Sequence, residues 1–389
     1  MYFTAEPEHI SMLRQMVQSF AKKELSPEKL RAWDQACEVP REVFQRFAQT
    51  GACGVTIDEQ YGGSGRDLVA AVAIIDELSR HGAAVAGPFI HCAFYGGINI
   101  SENGSEQQKQ TLLPQLARGE LLMAYGLSEP NVGGDLASVE TTATLSADSS
   151  TVTVNGTKRW CTGARFADYV IALVRSGPAD EKYRNLSMVM VPMDTPGIEI
   201  VDIDHIGLRY ARTCDVIFDN VTIDAEHILG GIEGWNKGWN MLASEALDVE
   251  KLEISAVALG IAHAAVEEAW EYSQQRRQFG KPISAHQSVR HDLVEARTKL
   301  QACDHMLYHG AYLAQNRLPC SVETSMAKLF IGDTALEIVL KCQQVMGAYG
   351  CASEYAMERH VRDILVMPIV GGSSKIQKNN IAARLRLSQ

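Results

Sequence analysis

The feature that most constrains the fold is a change in the spacing of the apolar residues, from helical to strand-like and back. Up to about residue 120 they recur every three or four positions, as in Val69, Val72 and Ile75, which is the period of one helix face. Short alternating runs such as residues 169–174 then follow, and these are typical of strands. Helical spacing returns for the rest of the chain. The order helix, sheet, helix is unusual and narrows the possible folds considerably.

This pattern predicts three domains. They are a helical domain over residues 1–120, a β domain over residues 121–232 and a second helical domain over residues 233–389. Within the β domain, Asn155-Gly156 follows the alternating stretch Thr151–Val154 and predicts a hairpin turn. In the last domain, long amphipathic helices are predicted over residues 286–315 and 322–347.

Composition excludes several classes of function. The 36 Lys and Arg residues against 47 Asp and Glu residues give a net charge of -11, which repels phosphate backbones and predicts no nucleic-acid partner. The nine cysteines contain no CxxC pair, so neither a zinc ribbon nor a disulfide framework is indicated. The acidic N-terminus and the absence of an 18-residue uncharged apolar run predict no targeting segment and no membrane insertion. These features together predict a cytoplasmic protein.

A metal site is not predicted. His305 and His309 lie at i and i+4, as zinc ligands on a helix can, but the residues between them include no glutamate. The glycine-rich stretches 62–65 and 371–374 lack the lysine of a phosphate-binding loop.

Several ordered motifs carry a resemblance to a known family. The segment Tyr125-Gly-Leu-Ser-Glu-Pro-Asn-Val-Gly-Gly-Asp135, followed by Lys158-Arg-Trp-Cys-Thr162, closely resembles the flavin-binding signature of the acyl-CoA dehydrogenases. Further motifs stand in that family's order: Gly207-Leu-Arg209, Phe218-Asp-Asn-Val221, Arg276-Arg-Gln-Phe279-Gly-Lys and Gln344-Val-Met-Gly347-Ala-Tyr-Gly350. The resemblance covers residues 5–388. It implies an α+β multidomain fold with a helical N-terminal domain, a middle β-barrel and a C-terminal four-helix bundle, FAD between barrel and bundle, and a homotetramer.

The resemblance also implies which residues hold FAD within one subunit. Leu127 and Ser128 would offer donors to the pyrimidine edge of the flavin, where reduction accumulates negative charge. Trp160 and Thr162 would flank the ring near N5. Taken alone, Trp160 is more typical of a core aromatic and Ser128 of a turn hydroxyl. The spacing from Tyr125 to Thr162 favours the cofactor.

A second group resembles the residues that family members donate to the FAD of a neighbouring subunit. Arg276 would pair with the pyrophosphate, Phe279 would pack on the adenine, and Gln344 with Gly347 would bring backbone close to phosphate. On its own, Arg276-Arg277 would be a solvated helix face. The remaining cofactor-binding residues implied by the resemblance are Tyr125, Gly133, Gly134, Gln287 and Ser373.

The catalytic base is predicted on a helix. Removal of an α-proton from a thioester needs a carboxylate, which many family members carry near the C-terminus in a Tyr-Glu-Gly-Thr setting. This chain has Ile369-Val-Gly-Gly372 there, so position 371 has no side chain. Isovaleryl-CoA and long-chain acyl-CoA dehydrogenases instead use a Leu-Asp-Leu-Glu-Arg segment, to which Leu247-Asp-Val-Glu-Lys251 is similar. The resemblance therefore implies that Glu250 is the base.

Helical spacing agrees with this assignment. Glu250 shares a stripe with the apolar residues Ile254, Val257 and Ile261, where an idle charge would be costly. Without the resemblance, Glu250 would be a peripheral carboxylate. Glu253 and Glu245 are the rival bases.

Three further roles and three departures complete the predicted site. The backbone N–H of Gly371 would polarise the thioester carbonyl, and Asp248 and Lys251 would contact substrate, although Asp248 is equally a plain N-terminal helix acid. Gly134 stands where the family has a serine, Ala348 where a glycine is common, and Lys251 where an arginine is usual.

The sequence thus predicts an FAD-dependent acyl-CoA dehydrogenase that passes electrons to an electron-transfer flavoprotein or an equivalent acceptor. The glycine at 371 leaves room for a branched or bulky acyl group. Two alternatives stay open: an enoyl-CoA reductase that uses the same site, and a flavin-binding protein without dehydrogenase activity.

Overall fold

The N-terminal part of the chain is helical, as its apolar spacing predicts. The computed structural model describes residues 6–387, apart from the side chains of Ser244 and Glu245, so the first residues of the acidic N-terminal segment lie outside it. The cap of α4 is the Asp67 side chain, which accepts a hydrogen bond from the Ala70 N–H, and Ser105 caps α7. The helices are α1 (Glu8–Glu24), α2 (Pro27–Ala36), α3 (Arg41–Ala48), α4 (Leu68–His81), α5 (Gly87–Ile90), α6 (Asn99–Asn103) and α7 (Glu106–Ala117).

One segment of this part is long and apolar enough to cross a membrane by length and composition. It is Ala83–Asn103, and 78% of its most apolar window is buried inside the fold. The prediction that the chain has no such run is therefore wrong, because residues 83–101 contain no Asp, Glu, Lys or Arg. A helix that is apolar on all sides is also typical of a large protein's core. The segment includes a π-helix, His91–Ile98.

The middle part is a single seven-stranded sheet. Its strand order is β1-β4-β2-β3-β7-β6, and β5 pairs with β4 outside this path. β1 runs parallel to β4, and the long ladder between β3 and β7 is antiparallel. The sheet curls into a half-barrel, which confirms the predicted β-barrel domain in that form. The strands are β1 (Met123–Gly126), β2 (Thr142–Leu145), β3 (Thr151–Thr162), β4 (Tyr169–Arg175), β5 (Leu186–Pro192), β6 (Ile198–Asp202) and β7 (Thr213–Asp224).

The predicted hairpin turn at Asn155-Gly156 is wrong. Both residues lie inside the continuous strand β3, where the register against β7 shifts between Val154 and Gly156. Gly156 has a φ of 139°, and a Cβ there would fall 2.6 Å from Thr141 Oγ1. The glycine therefore permits a bulge and a close approach of β2 rather than a chain reversal.

The C-terminal part is a helical bundle in which α9, α10, α11 and α13 pack together. α9 also packs on α4, and Gly260 allows this approach because a Cβ there would lie 2.4 Å from the Asp76 carbonyl oxygen. A π-helix, Leu242–Ala246, leads directly into α9. The elements are α8 (Gly238–Met241), α9 (Leu247–Gln275), β8 (Arg277–Gln278), β9 (Lys281–Pro282), α10 (Gln287–Gln315), α11 (Ser321–Met346), α12 (Met357–Ile364) and α13 (Ser374–Arg384).

A buried charge cluster joins the two helical parts. The Asp76 side chain on α4 is fully buried and accepts hydrogen bonds from Arg14 on α1 at 2.8 Å and from Arg80 at 3.3 Å. Arg14 also donates to the Tyr308 hydroxyl on α10. Glu77, also buried, pairs with Arg14 at 3.2 Å and with Arg80 at 3.8 Å. Removing one member of such a cluster leaves the remaining buried charges only partly compensated.

We therefore expect Asp76→Asn to destabilise the protein by about 3 kcal/mol, because the two arginines lose one of the two buried negative charges that they share, the other being that of Glu77. The control is Glu267→Gln, an exposed partner of Arg80 at 3.4 Å, which should cost less than about 1 kcal/mol. Thermal unfolding of the two FAD-loaded variants measures the difference. Equal melting temperatures would contradict the structural role of the cluster.

Candidate active site

Two glutamates occupy the start of α9, immediately after the π-helix Leu242–Ala246. Glu250 is half-buried, whereas Glu253 is fully buried with an exposed fraction of 0%. Residues three apart on a helix are neighbours on its surface, so the two carboxyls form an adjacent pair. π-helical segments within helices are frequent at functional sites. The side chain of the third candidate, Glu245, lies outside the described residues.

The environment of Glu250 keeps its proton affinity high. Burial raises the pKa of Glu250 to about 7, and the positive charges of Lys251 and Lys328 oppose that rise. Neither lysine forms an ion pair with it: Lys251 pairs with Asp248, and Lys328 donates to the Met367 carbonyl at 2.7 Å. A carboxylate with a pKa near neutrality can both accept and return a proton.

Two tyrosines face the acid pair from outside α9. Tyr95, on the π-helix His91–Ile98, stacks on Tyr125 of β1 with ring centroids 4.2 Å apart. The pKa values of both tyrosines are raised by burial first and then by the charges of Glu250 and Glu253. The Asn99 side chain donates to the Tyr125 hydroxyl. Tyr125, predicted as a flavin residue, therefore faces the acids, and sequence reasoning missed Tyr95 and Asn99.

Asp248 and Lys251 form a salt bridge with each other at 2.7 Å. The Asp248 carboxylate also accepts hydrogen bonds from Ser321 at 2.5 Å and Thr324 at 3.4 Å, both on α11. Asp248 thus fixes the position of the Lys251 ammonium beside Glu250.

The loop that contains Gly371 lies against the same face of α9. Gly371 has a φ of 61°, and a Cβ there would approach Ile254 Cγ1 to 2.8 Å. Its N–H donates to no described residue, while its carbonyl accepts from Gln377 at 3.3 Å. Ser373, predicted to contact FAD, caps α13 by accepting from the Ile376 N–H at 3.4 Å. A free donor therefore stands beside the helix face that carries Glu250.

A buried ion pair holds the segment Leu127-Ser128 in place. Lys158 on β3 pairs with Glu129 at 2.7 Å, and both side chains are almost wholly buried. Lys158 also donates to the Leu127 carbonyl at 3.3 Å, and the Arg159 N–H donates to the Ser128 carbonyl at 2.8 Å. The Ser128 hydroxyl makes no hydrogen bond to any described residue, so it is available to a ligand.

Trp160 lies at an irregularity in β3, just before Thr162. The register against β7 shifts between Lys158 and Cys161, and Trp160 has a φ of 64°. Its side chain is 53% exposed beneath the Arg159 guanidinium, 4.8 Å from the ring. The Thr162 hydroxyl faces that of Thr213 at 3.0 Å. The core-aromatic reading of Trp160 is therefore excluded.

The glycines of the signature loop are exposed. A Cβ at Gly133 would meet nothing within 4 Å, whereas one at Gly134 would lie 2.8 Å from Ile376 Cδ1 on α13. A side chain at position 134 would therefore require the end of the Ile376 side chain to shift. The contact also brings the signature loop to the segment that follows Gly371.

The residues predicted to serve a neighbouring subunit lie at the other end of α9. Between Glu250 and Arg276 the helix rises about 39 Å at 1.5 Å per residue, which is longer than an extended FAD. Phe279 and Gly280 form the turn between β8 and β9, both with positive φ, and the Phe279 ring is 92% exposed. The other residues of this group are also exposed: Arg276, Gln287, Gln344 and Gly347.

The arrangement fits FAD. The free Ser128 hydroxyl and the uncrowded Gly133 lie in the loop that follows β1, and the Arg159 N–H, which donates to the Ser128 carbonyl, joins this loop to the segment of β3 that carries the exposed Trp160 indole. β1 itself carries Tyr125, which faces the acid pair. A planar, partly anionic ring system needs such fixed donors and an aromatic wall.

His305 and His309 on α10 are exposed. The described residues place Asp224, Glu226 and His227 within 4.8 Å of one another instead, at an exposed position.

Three family models match consecutive parts of the chain. The acyl-CoA dehydrogenase N-terminal domain matches residues 7–120, the middle domain residues 124–221 and the C-terminal domain residues 236–386.

Individual proteins match over almost their full length. The chain is 36% identical over 369 residues to an acyl-CoA dehydrogenase of Bacillus subtilis, covering 94% of this chain and 95% of that protein. It is 31% identical over 386 residues to the caffeyl-CoA reductase-Etf complex subunit CarC of Acetobacterium woodii, covering 99% of each. Its structure is similar to that of butyryl-CoA dehydrogenase from Megasphaera elsdenii, with a TM-score of 0.94 and 29% identity, covering 99% of this chain and 100% of that one.

Proposed function

The chain belongs to the acyl-CoA dehydrogenase family, and from that premise we propose that Glu250 removes the α-proton of an acyl-CoA thioester. Members of the family are oxidoreductases that act on CH–CH bonds with FAD. When bound, FAD supplies the acceptor for the hydride that leaves the β-carbon. The observation that carries the proposal is the Glu250 carboxyl itself, half-buried, in no ion pair with a described residue, and on the face of α9 that meets the Gly371 loop.

The other polar groups of the site have separate roles in the proposed reaction. The free N–H of Gly371 donates to the thioester oxygen, where negative charge develops as the α-proton leaves. Lys251, held by Asp248, supplies a fixed positive charge that favours the ionised form of Glu250. Tyr95 and Tyr125 exclude water from the pair, which keeps the carboxyl basic.

The direct test is Glu250→Gln, which conserves volume but cannot accept the proton. We expect anaerobic flavin bleaching by acyl-CoA to slow by about 100- to 10,000-fold, with the FAD content unchanged. The matched control is Glu271→Gln, an exposed acid on the same helix, which should keep the parental rate. If Glu250→Gln bleaches as fast as the parent, the assignment is wrong and Glu253 becomes the base.

A second test uses pH. Because Glu250 acts in its ionised form and has a pKa of about 7, the rate of flavin reduction should rise as pH increases through 7. Lys328 lowers the pKa of Glu250, so Lys328→Met should move this rise to higher pH by about 0.5 to 1 unit. Lys378→Met, an exposed residue of α13, is the control. An unchanged profile in Lys328→Met would show that another group titrates.

A reductase direction is the second candidate, favoured by the similarity to a caffeyl-CoA reductase subunit. The same carboxyl would then return a proton to the α-carbon, which a pKa near 7 permits. Bleaching by saturated acyl-CoA supports a dehydrogenase, and reoxidation of reduced protein by enoyl-CoA without bleaching supports a reductase. The absence of either response would support a flavin-binding protein without activity.

Assembly is part of the proposal. Arg276 lies too far along α9 from Glu250 to serve FAD bound in its own subunit, and the exposed Phe279 ring sits in a turn of positive φ that is unfavourable for a bulky residue. Both features support a homotetramer, or at least a dimer, in which they reach the partner's cofactor.

An electron-transfer flavoprotein is the proposed acceptor, since the related CarC belongs to an Etf complex. The nine cysteines are all free, which fits the cytoplasm.

Shared binding predicts that Arg276→Ala weakens FAD retention although Glu250 is unchanged, because the partner's pyrophosphate loses its guanidinium. The neighbouring Arg277 donates to the Gly280 carbonyl at 3.0 Å, so Arg277→Ala is the control and should retain FAD. Gel filtration with light scattering, together with the ratio of FAD to protein, measures both properties. A monomer that holds FAD tightly would refute the proposed sharing.

A further inference from the structure

Glu253 is a buried acid that the mechanism does not use. Its exposed fraction is 0%, and neither carboxyl oxygen accepts a hydrogen bond from a described residue. Nearly all buried polar side-chain atoms in native proteins have a partner, and a hydrocarbon side chain at this position would carry no such penalty. The unpaired carboxyl of Glu253 is an exception to this rule, which indicates a hydrogen-bonding partner from outside the described residues.

The groups that face Glu253 do not satisfy it. Burial raises the pKa of Glu253 well above its ordinary value, the neighbouring charge of Glu250 raises it further, and Tyr95 only partly offsets this. The Asn99 amide donates to Tyr125 and to the Tyr95 carbonyl, so its donors are already in use.

The nearby cations also have other partners. Lys251 pairs with Asp248, and Lys328 donates to the Met367 carbonyl.

The position of Glu253 on α9 is equally specific. It lies three residues beyond the proposed base on the same helix, and it is fully buried whereas Glu250 is half-buried. A ligand whose α-carbon sits at Glu250 would therefore reach Glu253 with atoms farther along its acyl chain.

We propose that Glu253 accepts a hydrogen bond from an O–H or N–H group that the acyl chain carries beyond its reacting carbons. The substrate class is then an acyl-CoA with a hydroxyl or amino substituent, in preference to a plain hydrocarbon acyl group. This inference rests on the proposed role of Glu250, which places the α-carbon beside the first turn of α9. It adds a specificity-determining residue to the site.

The test compares isosteric thioesters. Pentanoyl-CoA, 4-hydroxybutyryl-CoA and 4-aminobutyryl-CoA differ only in a terminal methyl, hydroxyl or ammonium group, and hexanoyl-CoA with its 5-hydroxypentanoyl and 5-aminopentanoyl counterparts extends the reach by one carbon. Binding is measured by calorimetry in the Glu250→Gln holoenzyme, which does not turn over, and flavin bleaching is measured in the parent. We expect a donor-bearing thioester to bind at least about 10-fold more tightly than its hydrocarbon isostere.

Variants of Glu253 identify the source of the preference. Glu253→Leu should abolish it and improve binding of the hydrocarbon thioesters. Glu253→Gln keeps a hydrogen-bond acceptor but removes the charge. It should therefore keep the preference for the hydroxyl-bearing thioesters. If the natural substituent is an amine, it should lose the preference for the ammonium-bearing thioesters. Equal or better binding of the hydrocarbon isosteres at both chain lengths in the parent would overturn the inference.

A measurement without substrate guards against variants that fold poorly. An unpaired carboxyl with a raised pKa destabilises the folded protein increasingly as pH rises above the pKa of the unfolded chain. The melting temperature of Glu253→Gln should therefore exceed that of the parent, by more at pH 8 than at pH 5. A lower, pH-independent melting temperature would show a structural partner and contradict the proposal. If the binding preference is found but no thioester bleaches the flavin, the proposed function fails and the role of Glu253 stands.

Discussion

The length of α9 is the constraint on which the rest of the structure depends. Its 29 residues span about 43 Å, with the acid pair at one end and Arg276 just beyond the other. The helix cannot bend to bring these ends together, because its middle is packed against α4, α10 and α11. A cofactor that reaches Glu250 is therefore out of reach of the same chain's Arg276. In the proposed assembly, Arg276 and Phe279 serve the site of a second subunit, so the length of this one helix would link cofactor binding to assembly.

The buried charged residues of this protein differ in whether they have an ion-pair partner, and this difference distinguishes residues that stabilise the fold from residues of the candidate active site. The side chains of Glu129 and Lys158 are almost wholly buried, yet each neutralises the other at 2.7 Å, and Lys158 also donates to the Leu127 carbonyl. Glu250 and Glu253 lack such partners, and burial raises their pKa values instead. A satisfied pair stabilises a loop, whereas an unsatisfied carboxyl retains the proton affinity that a reaction or a ligand can use. The presence of an ion-pair partner thus suits Glu129 to a structural role, whereas its absence leaves Glu250 and Glu253 available for a reaction or a ligand.

The sequence predicts the long elements well and the irregular ones poorly. The period of the apolar residues indicates the helices over residues 286–315 and 322–347 because packing and propensity agree there, and α10 and α11 lie at those positions. Asn155-Gly156 misleads because glycine permits a bulge as readily as a turn, and tertiary contact with Thr141 decides between them. The π-helix that positions Tyr95 has no periodic signal, since the surrounding stretch is apolar on every face. Tyr95 and Glu253 influence each other's pKa although they lie 158 positions apart in the sequence, so no local pattern could reveal their proximity.

The proposal that the base is Glu250, and that no acid stands at position 371, agrees with the backbone as well as with the position of the acid. A glutamate at position 371 would need a left-handed backbone, with a φ of 61°, and its Cβ would meet Ile254 at 2.8 Å. Both conditions oppose a side chain there: the first costs about 1 kcal/mol or more for any residue other than glycine, and the second requires Ile254 to shift. Ile254 lies one turn beyond Glu250 on the same face of α9, so the helix that carries the proposed base also fills space that a side chain at position 371 would need. Moving the acid to 371 would thus require Ile254 to shift and the new glutamate to adopt a left-handed backbone. Ile254 occupies part of the space expected from the missing side chain at 371, and in the proposal it is the buried carboxyl of Glu253, three residues beyond Glu250, that would select the acyl chain.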